Sequence, residues 1–157
     1  MMPLRRLLLK GSATAPLLSL LGSGLLLPSR VLAADWNRNA FAARQAGEAL
    51  KAYGVSPAAA ETREIVITAP EIAENGAKVD IEVTTTLPGA RSIAVLADKN
   101  PYPLCASMDF SPPALPQVKL QAKLAESTRI RAVVRGGDGK YYVAFREVKV
   151  TLGGCGG

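Results

Sequence analysis

A cysteine near the carboxyl end of the sequence carries the side chain best suited to covalent chemistry. Cys155 is flanked on both sides by paired glycines, namely Gly153, Gly154, Gly156 and Gly157. Glycine restricts the backbone least and adds no side-chain bulk, so we expect this flexible tail to leave its cysteine unburied. Beyond Leu152, three residues can extend about 10 Å, at about 3.3–3.6 Å each. The tail therefore offers a thiol on a thin arm that can enter a narrow channel in another protein.

The residues around Cys155 do little to activate its thiol. A free cysteine has a pKa of about 8.5, which cationic neighbours or a helix N-terminus can lower, and neither feature is evident beside Cys155. A thiol that is presented but not activated suits a carrier, because the reaction partners of a carrier supply the activation. The sequence thus predicts that Cys155 is a point of covalent attachment.

Other roles for Cys155 remain open from the residues alone. Cysteines of exported proteins commonly pair, so Cys155 could form a disulfide with Cys105 or with a second molecule. An exported immunoglobulin-like structural module that dimerises through a Cys155 disulfide would carry the same tail. A weak thiol-dependent redox enzyme is a third alternative.

The composition argues against a self-sufficient enzyme. The chain has no histidine, the side chain whose ordinary pKa suits proton transfer near neutral pH. It has no Cys-x-x-Cys motif of the thioredoxin type and no glycine-rich phosphate loop before a helix. Two distant thiols and scattered carboxylates would make a poor metal site. We therefore expect a carrier protein with no catalytic residue, no cofactor and no metal.

The first 33 residues have the regions of a secretory signal. Basic Arg5, Arg6 and Lys10 precede a moderately apolar stretch over 17–27, and small side chains lead up to Ala33. The run from Arg5 to Lys10 is typical of a twin-arginine (Tat) signal. The apolar stretch is short for a bilayer span, which disfavours a retained membrane anchor. We predict export to the periplasm by the Tat pathway, cleavage after Ala33, and no membrane association afterwards.

Removal of this signal changes the meaning of the basic charge. The whole chain has a net charge of +6, but four of its basic residues and none of its acids lie within 1–33, which leaves +2 for the rest. The remaining Lys and Arg residues alternate with acids and do not cluster. A nucleic-acid-binding protein would show a basic patch, so nucleic acid is not an expected partner.

The spacing of apolar residues predicts one helix followed by strands. Over 35–53, apolar residues recur every three or four positions, as on one face of a helix, with Asp35 or Asn39 as its cap and Gly54 at its end. Period-two alternation then predicts strands within 64–69, 78–86, 91–98, 117–124, 128–135 and 140–152. The five prolines within 100–116 predict an irregular stretch, either a stiff connection or an interaction loop. We expect a mainly β, immunoglobulin-like antiparallel β-sandwich over 34–152 with one N-terminal helix.

Several motifs together resemble one protein family. The ending Val-Lys-Val-Thr-Leu-Gly-Gly-Cys-Gly-Gly over 148–157 is similar to the carboxyl end of SoxY, the sulfur-carrier subunit of the periplasmic thiosulfate-oxidising system. The resemblance also covers Ile-Ala-Glu-Asn-Gly at 72–76, Leu-Pro-Gly at 87–89 and Asn-Pro-Tyr-Pro-Leu at 100–104. The chain departs from the family pattern over 124–128 and at Cys105.

The resemblance implies a carrier that works with several partners. It implies a heterodimer with a SoxZ-like subunit and transient docking with SoxAX-, SoxB- and SoxCD-like enzymes. It also implies that Cys155 holds thiosulfate-derived sulfur, with Gly153, Gly154, Gly156 and Gly157 forming the arm. In that scheme a haem protein joins thiosulfate to the thiol, a hydrolase releases sulfate, and the catalytic groups belong to the partners.

Overall fold

The computed structural model describes residues 36–153, and the compact unit that they form begins at Asn37. Its helices are α1 (Arg38–Ala42) and α2 (Ala46–Tyr53). Its strands are β1 (Ala60–Glu61), β2 (Ile65–Thr68), β3 (Ile72–Asn75), β4 (Val79–Thr85), β5 (Ser92–Ala97), β6 (Leu104–Asp109), β7 (Gln117–Ala122), β8 (Thr128–Arg135) and β9 (Tyr141–Leu152). No helix in this part of the chain is long and apolar enough to cross a membrane. The predicted signal, 1–33, lies outside the described residues.

The strands form two sheets that pack face to face, as the alternation predicted. One sheet has the order β1-β9-β8-β5-β6 with β3 also paired to β9, and the other has the order β2-β4-β7. The interior between them holds apolar side chains from both sheets, among them Ile81, Val83, Ile93 and Ile130. Full burial of such a side chain contributes about 1.5–3 kcal/mol. The mainly β sandwich predicted from the sequence is confirmed.

A second apolar cluster lies on the outer face of the larger sheet. The two helices cover this face, so that Ala40 and Ala49 pack with Ala94, Leu96 and Val133. Strand β5 is buried along its whole length because the second sheet covers one of its faces and the helices cover the other. The protein is therefore built in three layers, namely helices, a large sheet and a small sheet.

The prediction of one continuous helix was wrong. Ala43 has an extended backbone (φ −60°, ψ 141°), and α2 starts afresh after Gln45. In one helix at about 100° per residue, Ala40 and Ala49 would lie on opposite faces, whereas the break lets both reach the sheet. The cap is Asn37 rather than Asp35 or Asn39, since its Oδ1 accepts a bond from the Ala40 N–H at 3.0 Å. The predicted end is correct, because Gly54 follows with φ +84°.

The sandwich is not purely antiparallel, in contrast to the prediction. Strands β1 and β3 both pair in parallel with β9, while β2, which lies between them in sequence, pairs with β4 in the other sheet. Without β1 and β3, strand β9 would leave a row of backbone donors and acceptors unpaired on one side. The two short parallel strands pair with part of that side, β1 at Tyr142 and Val143 and β3 between Lys149 and Leu152. Near both of its ends, β9 therefore lies inside its sheet.

The proline-containing stretch over 100–116 includes a regular strand that the sequence did not predict. Strand β6 pairs antiparallel with β5 and forms one edge of the large sheet. Pro103 immediately precedes β6 and Pro112 follows its end, so the prolines flank the strand and do not interrupt it. An edge position tolerates such neighbours because one side of the strand needs no ladder partner.

Candidate functional site

Of the five residues predicted to form the arm, the structure describes only Gly153. Cys155, Gly154, Gly156 and Gly157 lie outside the described residues. Strand β9 ends at Leu152, where the sequence placed the start of the arm. The geometry of residues 150–153, which we call the arm root, therefore sets where the arm leaves the sandwich.

Two bonds, one to β3 and one to the turn after it, fix the end of β9. The Gly76 N–H donates to the Leu152 carbonyl at 2.7 Å, and the Thr151 hydroxyl donates to the Glu74 carbonyl at 2.8 Å. Gly76 also accepts a bond at its own carbonyl from the Leu124 N–H, again at 2.7 Å. A single peptide segment thus joins the last residue of β9 to the connection between β7 and β8.

That connection contacts the arm root directly. The Ser127 hydroxyl accepts a bond from the Val150 N–H at 2.9 Å and lies 3.4 Å from the Val150 carbonyl, to which it can donate. A Cβ atom on Gly153 would collide with the carbonyl oxygen of Ala125. Glycine is therefore required at 153 by a close approach of two backbone segments, in addition to any need for flexibility.

Asn100 holds the connection from the other side. Its Nδ2 donates to the Lys123 carbonyl at 2.7 Å, and its Oδ1 accepts from the Ala125 N–H at 3.0 Å. The neighbouring Lys99 N–H donates to the Thr128 hydroxyl at 3.0 Å. The 123–128 loop is thus fixed between Asn100 and the arm root.

The second cysteine is poorly placed for covalent chemistry. Cys105 is partly buried against the apolar interior between the sheets, and its thiol donates to the Pro103 carbonyl at 3.4 Å. Burial raises the pKa of the Cys105 thiol, and a backbone hydrogen bond from Ala97 offsets this only in part. Because the thiolate is the nucleophile, a raised pKa lowers reactivity. Cys105 forms no disulfide within the described part of the chain.

No metal centre is evident among residues 36–153. No group of three or more His, Cys, Asp or Glu side chains in that range is arranged to hold an ion. A charged cluster does occur beside the large sheet, where Asp98 bonds Arg129 and Arg131. One carboxylate and two guanidinium groups leave a net positive charge, and the bonds join the residue after β5 to β8.

The sequence predicts the arm but does not indicate which residues hold its root. Gly76 appears there only within a family motif, Asn100 only within a motif and an irregular stretch, and Ser127 has no predicted role. These residues lie far apart in sequence and meet only because β3, β6, β7 and β9 share one end of the sandwich. The sequence did offer one indication that Gly76 and Asn100 matter. Both lie in motifs of the family resemblance, Gly76 in 72–76 and Asn100 in 100–104.

Known proteins resemble this chain in sequence and in fold. The family model described as sulfur oxidation protein SoxY matches residues 50–155. The chain belongs to the SoxY family. Among solved structures, the sulfur carrier protein SoxY of Chlorobium limicola f thiosulfatophilum is 43% identical, with a TM-score of 0.59, and the alignment covers 66% of this chain and 92% of that one. The predicted family is confirmed, and SoxY proteins are sulfur carriers.

A more distant likeness concerns the fold alone. The superoxide reductase (neelaredoxin) of Ignicoccus hospitalis is 23% identical, with a TM-score of 0.50 over 66% of this chain and 88% of that one. At this level of identity the SoxY chain shares an architecture with that protein and nothing more is implied. The comparison with curated proteins gave no significant match.

Proposed function

We propose that this SoxY-family chain is a periplasmic carrier that holds thiosulfate-derived sulfur covalently on Cys155. The observation that carries the proposal is that the family match extends to residue 155 itself. The chain has two cysteines, and the other one, Cys105, is partly buried with a raised thiol pKa. Cys155 is thus the better candidate for attachment, because a carrier thiol has to reach the active sites of several enzymes.

The covalent step is an oxidation of two thiol-type sulfurs. The Cys155 S–H bond breaks, a bond forms between its sulfur and the outer sulfur of thiosulfate, and one proton and two electrons are released. The proton passes to solvent and the electrons pass to a haem protein. Hydrolysis of the terminal sulfonate group then adds water, releases sulfate and two protons, and leaves the persulfide anion on Cys155. The remaining sulfur can be oxidised further by another partner.

The role requires partners and a compartment, which we also propose. The twin-arginine pattern at Arg5 and Arg6 supports export to the periplasm in the folded state. Membership of the SoxY family supports a heterodimer with a SoxZ-like subunit. The absence of histidine from the sequence supports partners that supply the acid–base chemistry, with SoxAX-, SoxB- and SoxCD-like enzymes as the transient ones.

Intact mass spectrometry tests the proposal. The exported chain, together with its partner subunit, is incubated with thiosulfate and the haem-protein oxidase, and then digested to locate any adduct. We expect the mass of a bound thiosulfate group on the peptide that contains Cys155. Addition of the hydrolase should convert this adduct to a persulfide.

Matched variants of the two cysteines provide the control. Cys155→Ser should abolish the adduct, whereas Cys105→Ser should leave it unchanged. A mass of exactly two chains joined by a disulfide, with no sulfur adduct under oxidising turnover, would favour the structural module that dimerises through Cys155. Full loading of Cys155→Ser would show that the attachment site lies elsewhere.

A further inference from the structure

Three segments far apart in sequence meet at the arm root, and their arrangement suggests a task beyond folding. Gly76 belongs to the turn after β3, Asn100 to the loop between β5 and β6, and Ser127 to the connection between β7 and β8. Gly76 and Ser127 bond directly to Leu152 and Val150, and Asn100 bonds Ala125, whose carbonyl oxygen lies close to Gly153. Such bonds restrain the direction in which the chain leaves β9.

We propose that Asn100 is a positioning residue that sets the exit direction of the carrier arm. This inference rests on the proposed function, in which the arm delivers Cys155 to partner enzymes. Among residues 36–153, the Asn100 side chain bonds to Lys123 and Ala125 and not to the arm root, so it acts through Ala125. By accepting the Ala125 N–H and donating to the Lys123 carbonyl, its side-chain amide fixes the two peptides that lead into Ala125. The carbonyl oxygen of Ala125 itself lies against Gly153.

The close approach at Gly153 makes this control of direction effective. The Ala125 oxygen occupies the space that a side chain at 153 would need. It therefore blocks movement of the residue 153 backbone toward that side. The bond from Gly76 to the Leu152 carbonyl and the Ser127 bonds to Val150 fix the residues just before it. If Asn100 no longer held Ala125, the Ala125 carbonyl could move away from Gly153, and the chain could leave β9 over a wider range of directions.

A partner enzyme would sense this change because it binds both the folded domain and the arm. When reacting groups must meet in a narrow geometry, a displacement of about 1 Å can reduce a rate by about 10²-fold. A small, freely diffusing thiol reagent makes no contact with the domain. Its reaction with Cys155 should therefore be insensitive to the direction of the arm.

The chain supplies a matched control at Asn37. Its Nδ2 also donates to a backbone carbonyl, that of Ala52 at 2.8 Å, and its Oδ1 also accepts a backbone N–H, that of Ala40 at 3.0 Å. Asn37 and Asn100 are both partly buried. Asn37→Ala and Asn100→Ala thus remove the same two kinds of bond, one at the helices and one beside the arm.

The test compares these variants in the full exported chain with its partner subunit. We expect Asn100→Ala to slow loading of Cys155 by thiosulfate and the haem-protein oxidase on the order of tenfold, at a temperature where both variants are folded. Alkylation of Cys155 by iodoacetamide should stay at the wild-type rate, and Asn37→Ala should load normally. Equal loading rates for the two variants would overturn the proposal.

Two further measurements cover the remaining outcomes. If Asn100→Ala does not fold, Ser127→Ala should slow loading of Cys155 in the same way. Ser127→Thr keeps the hydroxyl and should load at the wild-type rate. Equal loading rates for the two Ser127 variants would overturn the proposal. If even the wild-type protein is not loaded, the proposed function is wrong, and amide hydrogen exchange still decides the positioning role. Exchange at Gly76 and Val150 should rise in Asn100→Ala but not in Asn37→Ala, and unchanged exchange would rule the role out.

Discussion

The N–H of Gly76 donates to the carbonyl of Leu152 at 2.7 Å, which fixes the last residue of β9 to the turn between β3 and β4. This bond marks the boundary between the sandwich and the arm. Residues before it belong to a hydrogen-bonded ladder, and Gly153 after it lies against the Ala125 carbonyl.

Substitution of Gly153 by alanine should destabilise the domain. The added methyl group would meet the Ala125 carbonyl oxygen, and relief of such overpacking typically costs about 1–3 kcal/mol. Gly47→Ala is the matched control, because a Cβ there meets nothing within 4 Å and the residue lies in α2. That change should stabilise the protein by about 0.5–1 kcal/mol. Urea unfolding of both variants measures the difference, and equal stabilities would contradict the close approach at Gly153.

The stability of the protein should depend on the Cys105 thiol at alkaline pH. Burial raises the pKa of Cys105, so the folded protein keeps this proton at pH values where the unfolded chain has lost it. The resulting stability is fully present below the ordinary cysteine pKa of about 8.5 and is lost as the pH rises through the higher folded value. Between about pH 8 and 10, the free energy of unfolding should therefore fall more steeply in the wild type than in Cys105→Ala. Parallel slopes would mean that the thiol is not shielded from water.

Arg131 should contribute more to stability than Arg129, although both bind Asp98. Arg131 makes two bonds to this carboxylate, at 2.9 and 3.1 Å, and its side chain is 17% exposed, against 43% for Arg129. Loss of a hydrogen-bonded charge in a shielded setting costs about 1.5–3 kcal/mol, whereas exposed ion pairs contribute about 0–1 kcal/mol. Chemical unfolding of Arg131→Ala and Arg129→Ala should show this order. The reverse order would show that the Phe145 ring, which both guanidinium groups approach, matters more than Asp98.

Export should depend on the paired arginines and not merely on positive charge. Replacement of Arg5 and Arg6 by lysine keeps the charge but removes the twin-arginine pattern, so the precursor should remain in the cytoplasm. Arg30→Lys, which lies outside the pattern, serves as the control and should be exported normally. Cell fractionation with an antibody against the mature chain measures both. Normal export of the double lysine variant would exclude the Tat route.

The strands were the part of the fold that the sequence predicted well. The segment 128–135 coincides with β8, and the predicted limits of β4 and β5 differ from the observed ones by one residue at each end. This agreement has a local cause, because the alternation of apolar and polar side chains in a half-buried strand involves only consecutive residues. Strand β6 lacks that signal, since its burial falls from Leu104 to Asp109 without alternating.

The features that the sequence failed to predict depend on distant contacts. The break between α1 and α2 is dictated by the sheet, which both Ala40 and Ala49 must reach, and the helical spacing around them continues through the break. The candidate site divides in the same way. The arm stays a prediction from its glycines and its thiol, whereas the role proposed for Asn100 required the position of Ala125, in the connection between β7 and β8.

The place of β9 within the large sheet has a mechanical consequence. In the proposed function, a partner that drew on the arm would transmit the force to β9, which is paired with β8 on one side and, over part of its length, with β1 and β3 on the other. Force along the axis of β9 loads the hydrogen bonds of both ladders in parallel and does not open them one after another, as peeling of an edge strand would. If the arm works as proposed, the strand that bears it should resist unravelling when the arm is inserted and withdrawn.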